Sequence, residues 1–527
     1  MNLLWNKGEE IITKISRNQK IAFISALIAG FLSHGYAMAN NYIYHDATIL
    51  NGLGTTFGLG RWALGYVGEI NDLMFGNFNL PFFNVVFSLI FIAISAMYVV
   101  KALNAKSEFL CAFIGAIFAV YPVVTSTFAY NFSATYYFIA LLLAVMSVEK
   151  LSYEKSDKKS IAISVVLLTI SAGFYQAYLS VAVTLALSII LIDLLKGESE
   201  LKDIISKGVR YVVTFIASLV MYLIINKISI VIMKPPATGY QGAENMGALS
   251  IAKLPGRFIQ TYLHFFYIKW NGINAAFCMW VFIGLFLCAS IAIIVYYIVK
   301  EKINTINLAL FALGILVMPI AVNLVYLMST DDNYSIHTLM RFATVFVLIT
   351  PAAIVDMFMN KSDAEGAIKV PLKSINVLTS VSSIILTVIV LSYIYTNNVA
   401  YLKMNLVQEE MTAFFTVLEA RICDAEGFSD DMAVVFSGEF GKSDNNIYNM
   451  NEMYKDTVLL GYEYNVSDLI NRESWKRYMA YHTGFAPDII DMPGDIAETD
   501  EFASMSVYPD AGSVKVINGI AVVKFSE

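Results

Sequence analysis

Charged side chains are scarce in this sequence: 15% of its 527 residues are Asp, Glu, Lys or Arg, against about 25% in an average soluble protein. The apolar share is 57%. Together these values exclude a soluble enzyme, because so much apolar surface has to face something other than water. Cysteine is scarce as well. Cys111, Cys278, Cys288 and Cys423 lie far apart, the first three inside apolar runs, so neither a disulfide framework nor a zinc site is legible. Basic residues run short at the end of the chain: the last 131 residues hold 9 Lys/Arg against 22 Asp/Glu, whereas the first 396 hold 26 against 20. An acidic tail argues against nucleic acid as a partner. No secretory signal is legible in the charged first 20 residues, and the apolar run before Ala37-Met38-Ala39, which imitates a signal-peptidase site, is long enough to remain as an anchor.

What the sequence has is apolar runs of spanning length, about 20 residues each at a 1.5 Å rise. They fall near 21–39, 82–100, 109–128, 131–148, 209–233, 277–298, 308–328, 338–358 and 375–396. The stretch Ile161–Leu195 is too long for one crossing, and its interruption at Ser171-Ala172-Gly173-Phe174-Tyr175-Gln176 predicts two helices folded back on each other. The expectation is an all-α polytopic membrane protein of about eleven transmembrane helices. It comprises a membrane-embedded domain over 1–396 and an extracytoplasmic α/β domain over 397–527. Of the 35 Lys/Arg, 19 fall in the N-terminus and alternate loops, which the positive-inside rule assigns to the cytoplasm. An odd number of spans then puts the C-terminal domain outside. Within that tail the spacing predicts a helix over Met404–Gly427, a strand over Met432–Ser437, and a hairpin turning at Asn518-Gly519, the preferred pair of a type I′ turn.

Ionisable groups are rare in the middle of the spans and polar detail gathers in the outer loops, which favours surface chemistry over transport through the bilayer. Six acids fall on the outer side before residue 397: Asp46, Glu69, Asp72, Glu244, Asp331 and Asp332. Asp46 stands about seven residues past the first span, close enough to meet a lipid head group. The glycines at 52, 54, 58 and 60 lack the GxGxxG spacing of a dinucleotide loop. They suit a tight loop lying close to a substrate or helix, with Arg61-Trp62 anchoring an amphipathic segment at the interface. Arg61 suits a phosphate or a lipid head group equally.

The loop MSTDDNYSIHTLMRF carries Asp331, Asp332 and His337, with Arg341 at the entrance of the next span. The arginine has two readings, snorkelling to the interface or a bidentate grip on phosphate oxygens. The acid pair reads first as a polar turn and second as metal ligands. Tyr121-Pro122 with Tyr130-Asn131, and Tyr175-Gln176 with Tyr178, end spans on the outer side, as an aromatic belt or as the lining of a sugar pocket. The segment from Lys234 to Asn274, with its aromatic run from Phe258 to Trp270 and His264, reads as a surface-lying amphipathic helix.

An acid soon after the first span, a GLGRW segment, then YPVVTSTFAY, ISAGFYQAYLS and a late DD…R loop resemble, in that order, the bacterial glucosyltransferase family of O-antigen modification. The likeness covers roughly 20–400. It implies a C-type membrane glycosyltransferase of the bacterial plasma membrane, using a polyprenyl-phosphate sugar donor, most often glucose, and a cell-surface glycan or glycolipid acceptor. It also implies that Asp46 is the catalytic base and Arg341 or Arg61 the phosphate holder. Sugar or acceptor contacts then come from His45, Tyr130, Asn131, Tyr175, Gln176 and His337. No cofactor is required for such displacement, and a divalent metal, if one takes part, has Asp331 and Asp332. The alternative function is a polysaccharide polymerase or lipid-linked sugar flippase, and a flippase would want a hydrophilic path that these spans lack. An anchored binding module is the other alternative, for which eleven spans are excessive.

Overall fold

The computed structural model describes residues 15–40, 53–76, 79–153, 157–235, 253–266, 277–328, 336–364, 373–439 and 475–526. His45, Asp46, Asp331 and Asp332 lie outside the described residues. By internal contacts the chain forms a larger unit, Met1–Ala39 with Asn51–Asn398, and a smaller one, Asn40–Leu50 with Val399–Glu527.

The larger unit is helical throughout. Its helices are α1 Arg17–Ala39, α2 Trp62–Phe75, α3 Pro81–Ala102, α4 Glu108–Val120, α5 Pro122–Phe128, α6 Asn131–Leu151, α7 Lys158–Phe174 and α8 Leu179–Lys196. They continue as α9 Leu201–Met233, α10 Leu254–Phe266, α11 Phe277–Lys300, α12 Thr305–Val322, α13 Leu324–Met328, α14 Phe346–Ala364 and the start of α15 Lys373–Cys423. Among the described residues ten segments are long and apolar enough to cross a membrane, and α7, 17 residues long, stands where the eleventh span is expected. The chain is thus an all-α multi-pass membrane protein with a small C-terminal sheet. The predicted break inside 161–195 is present: α7 ends at Phe174 and α8 begins at Leu179.

Local chemistry sets the helix ends. Ser107 caps α4 by accepting from Leu110 N at 3.2 Å, Asp157 caps α7 from Ser160 N at 2.8 Å, and Asn304 caps α12 from Ile306 N at 2.9 Å. Pro122 cannot continue the hydrogen bonding of α4, so Tyr121 turns extended and a new helix, α5, starts at the proline.

The packing is that of a membrane protein. Helix α9 buries Lys207, Tyr211, Thr214, Ser218, Tyr222, Asn226 and Ser229 at helical spacing and exposes Val209, Val213, Ile216, Val220, Ile224 and Ile228. Such an outward apolar face is stable only against lipid. Helix α1 turns Ala22, Ala26, Ala29 and Gly30 inward against α3 and α4, and its approach is so close that a side chain on Gly115 of α4 would strike the backbone of Ala22. Charged residues near one end of the spans are paired: Lys101 with Glu149 at 2.8 Å, Lys207 with Asp193 at 2.8 Å, and Lys361 with Glu301 at 3.3 Å. Asp356 accepts the backbone N–H groups of Lys106 and Ser107 at 3.0 and 3.1 Å.

The smaller unit holds the rest of α15 and a three-stranded sheet of β1 Val434–Ser437, β2 Val514–Ile517 and β3 Ile520–Lys524, ordered β1-β3-β2. β1 runs parallel to β3, Val435 opposite Val522, and β2 runs antiparallel to it. Asn518 and Gly519 both have positive φ, 50° and 75°, as the expected I′ turn requires. One sheet face packs Val435 and Val522 on Ile496, Met505 and Ile517; the other sets Phe525 against Phe414 of α15 and Tyr508. The helix expected over 404–427 is not a separate element: no breaker intervenes after the last span, and α15 runs unbroken for 51 residues.

Candidate active site

Arg61 immediately precedes α2. The left-handed Gly60 (φ 72°) turns the chain there, and the half-buried Arg61 side chain reaches α6. Its Nη1 donates to the Tyr137 hydroxyl at 2.9 Å, and its guanidinium carbon lies 5.7 and 5.1 Å from the ring centroids of Tyr137 and Tyr175. Those two rings stack on each other at 4.2 Å. Cation–π contact of this kind holds a guanidinium with about 0.5–2 kcal/mol per ring. Trp62 follows, its ring lying where a side chain on Gly173 of α7 would be. The buried Trp62 indole N–H meets no acceptor among the described residues.

The glycine-containing turn Leu53–Leu59 is tied down from above. Gln176 donates through Nε2 to Leu59 O at 3.0 Å and to the Tyr222 hydroxyl at 2.9 Å, and Tyr222 donates to Gly60 O at 3.0 Å. Both amide hydrogens of Gln176 are therefore used within the protein, one of them on the turn just before Arg61.

Arg341 lies between two tight turns, Thr338–Met340 and Phe342–Val345, just before α14. It is 5% exposed. Its Nη2 donates to His264 O at 3.3 Å, its Nε meets no acceptor, and no carboxylate pairs with it among the described residues. Thr344 Oγ1 donates to its carbonyl at 2.6 Å and lies 2.6 Å from the Tyr121 hydroxyl. His264, on α10, stacks on Tyr326 at 4.3 Å. Burial, and then the neighbouring Arg341 charge, hold the His264 ring below its ordinary pKa.

These parts form one neighbourhood. Tyr178 packs edge-on against Tyr175 and against Phe342, so an aromatic path runs from Arg61 to the residue beside Arg341. Helix α5 lies against the turn Thr338–Met340. Beyond α5, Tyr130 and Asn131 open α6, and the buried Oδ1 of Asn131 meets no donor among the described residues. His337 stands half-buried at the start of the same turn. The structure thus gathers Arg61 with Tyr175 and Gln176, and Arg341 with His337.

Sequence reasoning missed Tyr137, Tyr222 and Tyr326, which hold these groups, and Arg257, which is buried beside them. The signal existed for Tyr222: a tyrosine in the middle of a span needs a partner for its hydroxyl. Among the described residues no three His, Cys, Asp or Glu side chains converge as metal ligands would.

No curated protein and no solved structure matches the chain. A family model, glucosyl transferase GtrII, matches residues 35–348. That range runs from the end of α1 through Arg61, Tyr175 and Arg341 to the first turn of α14, more than half of the sequence, and leaves Val399–Glu527 outside. The chain therefore belongs to the glucosyl transferase GtrII family of membrane glycosyltransferases.

Proposed function

We propose that this protein transfers glucose from a polyprenyl-phosphate donor to a cell-surface glycan or glycolipid, on the extracytoplasmic face of the bacterial plasma membrane. The observation that carries this reading is Arg341: a guanidinium almost fully removed from water, with one carbonyl partner at 3.3 Å. An uncompensated charge in that position costs several kcal/mol; an incoming phosphate offsets that cost and gains charge-assisted hydrogen bonds. In the mechanism, Asp46 takes the proton of the acceptor hydroxyl, whose oxygen attacks the anomeric carbon. The bond from that carbon to the phosphate oxygen breaks with inversion. Polyprenyl phosphate departs with the bonding pair, and Arg341 stabilises its growing charge, with Arg61 and the stacked Tyr137 and Tyr175 beside the sugar. Tyr130, Asn131, His337 and His45 supply contacts to hydroxyl groups. The 19 basic residues in alternate loops support an inside N-terminus and an outside C-terminal domain.

The test is a comparison of Asp46→Asn, Asp331→Asn and Asp332→Asn at matched membrane abundance. Asp46→Asn should lower turnover on the order of 10²–10⁴-fold while donor binding survives. Near-normal transfer by that variant, with loss in either of the others, would move the base to the later loop.

A further inference from the structure

Two arginines are almost fully buried among the described residues, Arg341 and Arg257, the latter 3% exposed. Arg257 lies in the first turn of α10. Its Nη1 reaches Leu327 O at 3.5 Å, the limit of a hydrogen bond, and no carboxylate pairs with it among the described residues. Arg257, Thr261 and His264 follow each other at four and three residues, which puts them on one face of α10. That face is docked on Asn323–Leu327: Asn323 donates to Thr261 O at 2.9 Å, His264 stacks on Tyr326, and Arg257 meets Leu327. Arg341 reaches the far end of the same face through His264 O. Two like charges therefore lie buried along one seam, and among the described residues nothing of opposite sign neutralises them. The opposite face of α10 exposes Ile259, Leu263 and Phe266, with Phe258 at its flank, a strip suited to an acyl-like chain.

We propose that Arg257 is a second ligand of the donor phosphate, acting with Arg341 across the α10–α13 seam while the apolar face of α10 lies along the polyprenyl chain. This rests on the reading of Arg341 given above. The ligand chemistry is a phosphate ester of a long apolar alcohol, a diester to the sugar in the donor and the monoester in the departing polyprenyl phosphate: two forks supply enough donors for the free oxygens of one phosphate group.

The experiment measures binding of a short-chain polyprenyl monophosphate to the full-length protein in detergent, by thermal unfolding at increasing ligand, with inorganic phosphate in parallel. Arg257→Gln should weaken polyprenyl phosphate binding at least about ten-fold, as removal of a charge-assisted contact does. Arg257→Gln with Arg341→Gln should lose less than the product of the two single losses, because both act on one group. If Arg257→Gln binds within two-fold of wild type while Arg341→Gln is weakened ten-fold, the role of Arg257 is overturned and the phosphate reading of Arg341 stands. If Arg341→Gln also binds like wild type, both fall. Should Arg257→Gln fail to fold, Arg257→Lys keeps the charge without the fork and should show an intermediate loss; wild-type affinity in that variant would equally overturn the proposal. Inorganic phosphate stabilising as strongly as the lipid would refute the part given to the α10 apolar face.

Discussion

Arg61 and Tyr175 form a cation–π pair, the guanidinium carbon 5.1 Å from the ring centroid, in a pocket that Tyr137 closes with a 2.9 Å hydrogen bond. The pair converts what reads in sequence as an interfacial basic residue into a donor oriented inside the bundle. Arg61→Lys keeps the charge and loses the planar contact with both rings. Transfer should fall about ten-fold or more, while Tyr137→Phe, which removes one hydroxyl, should cost about 1 kcal/mol or less. Initial rates at saturating and limiting donor check both; wild-type rates for the lysine variant would return Arg61 to a lipid-facing role.

A second prediction concerns the approach of α1 to α4. No space exists for a side chain on Gly115 against the Ala22 backbone, so Gly115→Ala must push the helices apart and Gly115→Val further. The thermal midpoint of the detergent-solubilised protein should drop in that order, whereas Gly208→Ala, where the added carbon meets nothing, should leave it unchanged or slightly raised. Equal midpoints for the Gly115 variants would contradict the packing described.

His264 gives a third. Its ring is held below the ordinary value of 6.5, first by burial and then by Arg341, so it is neutral at pH 7. A depressed histidine contributes stability above its unfolded pKa, and that contribution is lost as pH falls from about 6.5 through the folded value. Arg341→Gln should raise the His264 pKa, and so should bound polyprenyl phosphate, whose charge opposes that of Arg341. Histidine ring chemical shifts followed through a pH titration report both; a pKa indifferent to Arg341 would separate the two groups.

Much of the fold was legible in the sequence because the bilayer imposes a simple code. Each span must be long and apolar, and Tyr175-Gln176 and Asn518-Gly519 mark reversals by chemistry local to the chain. The site was legible only in part. Arg61 and Arg341 stand out because charge is rare near the spans, but their partners do not. Tyr137 and Tyr222 are 76 residues or more from the groups they hold, and nothing in their own neighbourhood announces the contact. Nothing in the predicted amphipathic segment singles out Arg257 until α10 is seen docked on Asn323–Leu327. Gln176 has the opposite history: its amide suits a sugar, but folding commits one hydrogen to Leu59 of the loop and the other to Tyr222 of α9.

The most direct measurement follows labelled glucose presented to the purified protein on polyprenyl phosphate, with a cell-surface glycan as acceptor. Labelled glycan and free polyprenyl phosphate are expected in equal amounts, with no transfer from nucleotide-linked glucose. Labelling from the nucleotide donor alone, or movement of the lipid-linked sugar across a vesicle membrane without labelling of the acceptor, would contradict the proposed function.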